Sequence, residues 1–247
     1  FLPMAQYYDT TPWLIPKADD RLAALFRQHG SFFSVKKGSM LDAINIKGDG
    51  HNVTFLQAGL LGQCYDTGEP DRPHAISIVL PGRIINYFDY LGIDHQAEKF
   101  MVLRNSDVWI CRLDTLKAAL KEEGLEELYH RYCMDCIASD YGAFMLMFST
   151  QTEERLGHFL LSLAESLGCR PKGDVLFVPL KLTYTELSYV MHSTVKTIER
   201  ILAKWHQAGA LSSNRDGFTL SLRFFKDVTA SSSTRATCLR CFILRWH

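Results

Sequence analysis

The sequence predicts an α+β protein in which a β-rich N-terminal part is followed by a mainly helical C-terminal part. Three observations support this class. From residue 32 to residue 113, short apolar or alternating runs are separated by turn signals, as in an antiparallel sandwich or barrel. After Asp114, apolar residues recur at helical spacing. Near the C-terminal end, Asp216-Gly217 lies between two strand-like runs, which is a hairpin signal.

The turn signals of the β-rich part follow one another closely. The runs between them, such as residues 53–56, 75–80, 100–103 and 108–113, are rich in β-branched and aromatic residues and too short for helices. The turns are expected at Lys37-Gly38, residues 48–50, Gly59, Gly62, residues 67–70, Pro81-Gly82 and Asn105-Ser106-Asp107.

A long helix is predicted from about residue 125 to residue 150. Its apolar residues recur at spacings of three and four and form one stripe: Met134, Ile137, Tyr141, Phe144 and Phe148. A helix of about 26 residues spans about 40 Å, which is longer than a small barrel can cover. We therefore expect part of the stripe to pack against a second copy of the chain. The alternative is that the stripe packs only on its own domain.

Composition and charge narrow the class of protein. The chain has 247 residues, of which 47% are hydrophobic, so it is neither a disordered tail nor a collagen-like fibre. No apolar run approaches the length of a membrane helix and the start does not resemble a signal peptide, so we expect a cytoplasmic protein without a membrane partner.

The charge is distributed unevenly along the chain. Residues 1–150 carry 14 basic and 19 acidic residues, and residues 151–247 carry 13 basic and 8 acidic residues. This asymmetry favours nucleic-acid contact by the C-terminal half.

That basic half contains the pattern of two short helices joined by a tight turn. Residues 153–168 predict one helix and residues 175–179 a short strand. Thr183 and Glu186 then have the spacing of a capping box, and after a break at His192-Ser193, Thr194 can cap a second helix over Val195–Gln207. The second helix has an apolar face of Ile198, Ile201, Leu202 and Trp205 and an exposed face with Lys196, Glu199, Arg200 and Lys204. Together with the Asp216-Gly217 hairpin as a wing, this order indicates a winged helix-turn-helix that binds double-stranded DNA.

The motifs resemble those of the CRP/FNR superfamily of bacterial transcription regulators. The similarity covers about residues 21–225. Residues 182–191 and 192–202 are similar to the helix-turn-helix of the family, with 197–202 as the strongest part, and Lys37-Gly38, residues 55–59 and Pro81-Gly82 resemble its β-roll landmarks. It implies a sensor domain at 1–113 built as an antiparallel β-roll, also described as a double-stranded β-helix or cupin-like fold. It further implies a dimerisation helix region at 114–151, a winged helix-turn-helix at 152–228 and a C-terminal tail at 229–247. The expected partners are a second copy of the chain and a palindromic promoter site, with RNA polymerase as a further candidate.

The resemblance also implies which residues contact DNA. The base-reading positions of the family fall on Val195, Lys196, Glu199 and Arg200. A guanidinium at Arg200 matches the O6 and N7 acceptors of guanine, and Glu199 can accept from the amino group of cytosine. His192 replaces the usual glycine of the turn, and a histidine can occupy the left-handed conformation there at some cost. The full predicted set is Thr183, Ser193, Thr194, Val195, Lys196, Thr197, Glu199, Arg200 and Lys204.

The same comparison limits the signal that the sensor domain binds. Cyclic AMP is not expected, because Asn86-Tyr87-Phe88 and Gln96-Ala97 replace the carboxylate and the arginine that hold it. An iron–sulfur cluster near the N-terminus is not expected either, since the first cysteine is Cys64. The chain resembles the branch that senses halogenated aromatics, which implies a small aromatic or phenolic effector with a hydroxyl or carboxylate handle. The predicted lining is Ile84, Ile85, Asn86, Tyr87, Phe88, Tyr90 and Phe100, with Tyr65 as an addition; the alternative is that these residues form only the core.

Other chemistries remain as alternatives. Haem would need axial ligands from His74, His95, Cys64 or Cys111, and thiol-based redox control would use Cys111 or Cys136. The Cys-x-x-Cys pairs at 133–136 and 238–241 lack the spacing of a zinc ribbon, so no metal site is predicted. A cupin-type metalloenzyme is the main enzyme alternative, but the clustered His and Glu ligands of cupins are missing. The sequence therefore predicts a regulator and not an enzyme.

Overall fold

The computed structural model describes residues 11–41, 51–65, 74–93 and 98–225. They form two compact units: Leu14–Asp140, and residues 11–13 together with 141–225. The predicted functional division at residues 113, 151 and 228 stays a prediction. Among the helices of the described ranges, none combines the length and the apolar character needed to cross a membrane.

The first unit is an antiparallel sheet with helices at its ends. In chain order, its elements are α1 (Asp20–His29), β1 (Ser31–Val35), β2 (Asn52–Tyr65), β3 (His74–Val79), β4 (Arg83–Ile85), α2 (Tyr87–Leu91), β5 (Glu98–Arg112), α3 (Leu113–Glu122) and the N-terminal part of α4 (Glu126–Ser149). The described strands have the order β1-β5-β2-β3, and β4 also pairs with β2. This arrangement is the predicted β-roll, and its interior is filled by apolar side chains of the strands, α1, α3 and α4.

Three of the predicted turns in the β-roll are wrong. Gly59 and Gly62 lie inside β2, and Asn105-Ser106-Asp107 lies inside β5, which pairs with β2 along most of its length. The register between the two strands shifts several times from Leu56 to Leu61, so Gly59 and the segment 105–107 opposite it lie at bulges, whereas Gly62 pairs in regular register with Met101. Gly59 has a φ of +98°, and a Cβ there would lie 2.2 Å from Oγ of Ser106, which explains a glycine at the bulge.

The sequence analysis missed two helices of the first unit. Helix α1 begins after Asp19, whose side chain accepts a hydrogen bond from the amide of Arg21 at 2.9 Å, and it buries Leu22 and Phe26. The cap and this spacing are visible in the sequence, so α1 could have been predicted. Helix α2 has only five residues and follows Asn86, which has a φ of 63°. A helix this short has no detectable period.

The second unit contains the end of α4, and then α5 (Thr152–Ser166), β6 (Val175–Val178), α6 (Tyr184–Val190), α7 (Val195–Gln207), β7 (Leu211–Ser213) and β8 (Phe218–Ser221). Its described strands have the order β6-β8-β7. The predicted helices at 125–150 and 153–168 therefore exist within two residues of their expected ends. Leu156, Leu160 and Leu163 of α5 are completely buried, as their spacing indicated.

The predicted β7–β8 hairpin is confirmed, but its two-residue turn is wrong. The connection has four residues, 214–217, and the Asn214 side chain accepts from the amides of Asp216 at 2.9 Å and Gly217 at 3.0 Å. Gly217 has a different role from the one predicted. A Cβ there would lie 2.0 Å from the carbonyl oxygen of Val178, so glycine permits the close approach of β6 to β8.

Candidate nucleic-acid interface

Helix α6 begins at the predicted capping box. The hydroxyl oxygen of Thr183 accepts from the amide of Glu186 at 3.1 Å, and the Glu186 carboxylate accepts from the amide of Thr183 at 2.7 Å. Two amides that would lack partners at the helix start are therefore satisfied. Leu187 and Val190 are buried, so the helix is fixed against its own unit.

The turn between α6 and α7 has the predicted backbone. His192 has a φ of 47°, in the left-handed region that the sequence analysis assigned to it. The amide of Ser193 then bonds back to the carbonyl of Ser188 at 3.0 Å. Thr194 caps α7, because its hydroxyl oxygen accepts from the amide of Thr197 at 3.1 Å. These local bonds set the direction in which α7 leaves the turn.

Helix α7 separates an apolar face from a polar one. The four predicted core residues, Ile198, Ile201, Leu202 and Trp205, are buried. Seven of the nine predicted DNA-binding residues are exposed, and the other two, Ser193 and Thr197, are partly buried. The seven exposed ones are Thr183, Thr194, Val195, Lys196, Glu199, Arg200 and Lys204. Except for Thr183 at the start of α6, the nine therefore lie together on the turn and on one side of α7.

Lys204 has a partner that the sequence analysis missed. Its Nζ lies 2.9 Å from both carboxylate oxygens of Glu153, at the start of α5. The indole nitrogen of Trp205 donates to the same carboxylate at 2.8 Å. The charge of Lys204 is thus balanced within the protein, unlike the charge expected of a lysine that contacts phosphate. Nothing in the spacing of Glu153 and Lys204, 51 residues apart, indicates this pair.

An open cleft of about 390 Å³ lies beside this ion pair. It is lined by the first residues of α5 and by the polar side of α7, namely Gln151, Thr152, Glu153, Thr197, Arg200, Ile201 and Lys204. Arg200, the predicted base-reading residue, therefore borders a concave surface, next to a helix start that carries partial positive charge.

Arg155 joins the end of α4 to the end of α6. Its guanidinium donates to the carbonyl oxygens of Met147 at 3.0 Å, Thr150 at 2.8 Å and Met191 at 3.3 Å. Met191 is the residue before the turn at His192. Burial lowers the pKa of Arg155, and these carbonyls supply the acceptors that a buried guanidinium requires. No sequence motif marked this residue.

The C-terminal half of α4 presents large apolar side chains to solvent. Four of them, Tyr141, Phe144, Met145 and Phe148, define what we call the apolar face of α4, and their exposed fractions are 57%, 56%, 44% and 76%. Of the two earlier members of the predicted stripe, Met134 is also exposed, whereas Ile137 packs against the core of the β-roll. The stripe is thus shared between the core and an uncovered surface.

The predicted effector residues are divided between the interior and the surface of the β-roll. Ile84, Ile85, Tyr87 and Phe100 are completely buried in the core, and Phe88 and Tyr90 pack against it. Asn86 is partly exposed. Tyr90 also borders an open cleft of about 600 Å³ with Lys117, whose Nζ lies 5.5 Å from the centre of the ring. The side chains of Tyr65 and His74, and the whole of His95, Gln96 and Ala97, lie outside the described residues.

Four of the described cysteines, Cys64, Cys111, Cys133 and Cys136, are buried, and Cys169 is partly buried. Burial raises the pKa of Cys111 to about 11 and that of Cys133 to about 12, and it raises the pKa of Cys136 well above its usual value. Because the thiolate is the reactive form, these directions disfavour redox control through Cys111 or Cys136. Cys238 and Cys241 lie outside the described residues. Within the described ranges, no three His, Cys, Asp or Glu side chains are grouped as metal ligands.

The geometry of the second unit is that of a winged helix: a capped helix, a tight turn, a second helix with a polar outer face, and a hairpin. Residues 154–223 match a protein family described as the Crp-like helix-turn-helix domain. The second unit therefore contains a Crp-like helix-turn-helix domain.

Solved structures share the fold over both units. A CooA variant from Carboxydothermus hydrogenoformans has 13% identity and a TM-score of 0.64, over 84% of this chain and 90% of that one. A CprK variant complexed with OCPA has 13% identity and a TM-score of 0.63, over 89% and 100%. FixK2 from Bradyrhizobium japonicum has 17% identity and a TM-score of 0.60, over 83% and 99%. No curated protein sequence matches the chain. The predicted fold, a β-roll followed by a winged helix-turn-helix, is confirmed.

Proposed function

We propose that the chain is a homodimeric transcription regulator that binds a specific sequence of double-stranded DNA and is not an enzyme. The observation that carries the proposal is the outer face of α7, which is exposed, polar and held by two capped helices within a Crp-like helix-turn-helix domain. A helix presented in this way fits the major groove of DNA.

Base reading is assigned to the first two turns of α7. Lys196, Glu199 and Arg200 are exposed at adjacent positions of one helical face, so they can reach neighbouring base pairs. Arg200 reads a guanine in this proposal, and Glu199 accepts from a cytosine. The hydroxyls of Thr183 and Ser193 donate to phosphates, and such contacts fix the register without reading sequence. Thr194 and Thr197 supply one further donor between them, because their hydroxyl oxygens are hydrogen-bonded to each other at 2.9 Å.

Dimerisation is assigned to the apolar face of α4. Four large side chains at one end of a helix are an unusual surface for a chain that acts alone, because each remains in contact with water. A second copy of α4 would cover them in a two-fold symmetric contact. The resulting pair of α7 helices suits a palindromic promoter site. RNA polymerase stays a candidate partner for which no surface is assigned.

The β-roll is proposed to bind a small organic effector that is not a cyclic nucleotide. Support comes from the interior itself, where Tyr87 and Phe100 offer aromatic surface and a carboxylate lies next to Tyr87. The repulsion between that carboxylate and a cyclic phosphate disfavours cyclic AMP. The aromatic or phenolic effector predicted from the sequence is compatible with this lining, and haem is the weaker alternative.

Selection of duplexes from a random library by the purified chain tests the proposed function. We expect enrichment of one palindromic sequence, and a Kd at least about a thousandfold below that for unrelated duplex at the same salt concentration. A chain that binds all duplexes equally, or none at low salt, contradicts the proposal.

A further inference from the structure

Five polar side chains meet inside the first unit, each from a different element. They are Gln63 of β2, Ser77 of β3, Tyr87 of α2, Glu98 of β5 and Asp140 of α4, and we call them the interior polar cluster. Gln63, Ser77 and Tyr87 are completely buried and Glu98 is 7% exposed, whereas Asp140 is partly buried. A β-roll core needs no such group for its packing, since burying polar atoms costs free energy.

The cluster is organised around the Asp140 carboxylate. Ser77 donates its hydroxyl to one carboxylate oxygen and Tyr87 donates to the other, both at 2.5 Å. The amide group of Gln63 bonds to Asp140 and also donates through Nε2 to the carboxylate of Glu98. All of these partners of Asp140 are neutral. Burial raises the pKa of Asp140, and the three hydrogen bonds oppose that effect in part.

The Gln63 amide leaves one acceptor unused. Its nitrogen must face the two carboxylates, because an oxygen there would meet only acceptors. Its Oε1 is buried and has no hydrogen-bond partner among the described residues. The cluster thus combines two carboxylates with a buried carbonyl oxygen that lacks a donor. The group that complements it carries positive charge and several N–H donors.

We infer that the interior polar cluster binds the ammonium group of a small organic effector. Three N–H bonds would go to Oε1 of Gln63 and to the carboxylates of Glu98 and Asp140. The rings of Tyr87 and Phe88, 4.6 Å apart, and the buried Phe100 offer the apolar surface for the body of the molecule. The inference rests on the proposed function, and it replaces the hydroxyl or carboxylate handle expected from the sequence by a cation.

The position of Asp140 gives the ligand a route to α4. Gln63, Ser77 and Tyr87 tie three elements of the β-roll to this one helix. An ammonium group that binds the same carboxylate competes with these hydrogen bonds. Ligand binding therefore changes the bonds between α4 and the β-roll. A ligand alters the output of a protein only through such a difference between two states.

Thermal unfolding of the full chain with matched small molecules tests the charge of the ligand. The probes are phenethylamine and butylamine, and their counterparts are phenylacetate, 2-phenylethanol, butyrate and cyclic AMP. At about one hundred times Kd, we expect an amine to raise Tm by about 5–10 °C while its neutral and anionic counterparts leave it unchanged. The inference is overturned if neither amine binds, or if a counterpart raises Tm as much as its amine.

Variants locate the binding by calorimetric titration with the amine that shifts Tm more. Asp140→Asn and Glu98→Gln should each weaken binding by about 10- to 100-fold, because each replaces a charged carboxylate by a neutral amide of similar shape. Asp135→Asn, an exposed residue on the same helix, is the control and should bind as the parent does. Glu98→Gln decides the matter if Asp140→Asn does not fold. Unchanged affinity in Glu98→Gln, or an equal loss in Asp135→Asn, overturns the inference.

DNA binding by the same preparations separates this inference from the proposed function. A chain that selects a DNA sequence but binds neither amine retains the proposed function and refutes the ammonium site. A chain that binds an amine through Glu98 but selects no DNA sequence supports the site and contradicts the proposed function.

Discussion

Replacing Phe148 by alanine removes the most exposed large apolar side chain of the described residues, at 76% exposure, from the apolar face of α4. If this face is the dimer contact, the ring is buried in the dimer and exposed in the monomer. Phe148→Ala therefore weakens dimerisation and leaves the fold of the monomer nearly unchanged. The ring contacts Phe144 at 4.7 Å between centres, so part of the contact remains in the variant.

The size of the effect follows from the exposed area. Full burial of a phenylalanine side chain contributes about 1.5–3 kcal/mol. Since about three quarters of Phe148 is exposed, its burial in the dimer contributes roughly 1–2 kcal/mol for each copy. Because both copies of a two-fold symmetric dimer carry the substitution, the free energy of dimerisation should weaken by about 2–4 kcal/mol. At about 1.4 kcal/mol for each factor of ten, the dimer Kd should rise about 30- to 1000-fold.

Sedimentation equilibrium over a range of protein concentrations measures this Kd directly. The matched control is Phe177→Ala, which removes an aromatic ring that is 44% exposed on β6, outside the proposed contact. We expect the control to keep the dimer Kd of the parent chain. The assignment of the contact is refuted if Phe148→Ala leaves the dimer Kd unchanged, or if Phe177→Ala weakens the dimer equally.

Three further outcomes are expected. Gly217→Ala should lower the Tm of the chain in differential scanning calorimetry, since the new Cβ would lie 2.0 Å from the carbonyl oxygen of Val178. Glu153→Gln should raise the affinity for random duplex several-fold in fluorescence anisotropy, because it frees the charge of Lys204, now 2.9 Å from the carboxylate. Lowering the pH from 7 to 4 should reduce the free energy of unfolding by about 3 kcal/mol through His158, whose pKa burial lowers to about 4. As the pH is lowered, the unfolded chain takes up this proton first, near pH 6.5, so the free energy of unfolding measured by urea titration decreases as the pH decreases. His158→Gln should remove the part of this decrease that His158 causes.

Each of these outcomes has a result that contradicts it. A Gly217→Ala chain with the Tm of the parent shows that β6 can move away from β8 without cost. The reasoning on Lys204 fails if Glu153→Gln binds random duplex no better than the parent, or if the gain persists after Lys204 is also neutralised by Lys204→Gln. His158 is not the titrating group if His158→Gln loses as much stability between pH 7 and pH 4 as the parent.

The helix-turn-helix could be predicted because its signals are local. The bond between Thr183 and Glu186 joins residues three apart, and the same holds for the cap at Thr194. Helix periodicity then places Trp205 in the core from neighbouring residues alone. The left-handed turn at His192 follows from its position between two capped helices.

The long strands and the charged contacts depend on residues far apart in the sequence. Whether Gly59 marks a turn or a bulge is decided by its pairing partner near Ser106, which local spacing does not reveal. The bonds of Asp140 to Ser77 and of Lys204 to Glu153 span 63 and 51 residues. These contacts form only once the sheet and the helices have packed, so the polar interior of the β-roll could not be predicted from residue types alone.

Base reading by Arg200 is the central claim, and DNA binding by Arg200→Ala tests it most directly. Fluorescence anisotropy with the selected duplex and with a random duplex, at one salt concentration, gives the two affinities. We predict a loss of about 1–3 kcal/mol, or about 5- to 150-fold, on the selected duplex and a small loss on the random one. Arg215→Ala, which removes a guanidinium with an exposed fraction of 94%, is the control and should weaken both duplexes equally. Equal losses on both duplexes for Arg200→Ala would contradict the account.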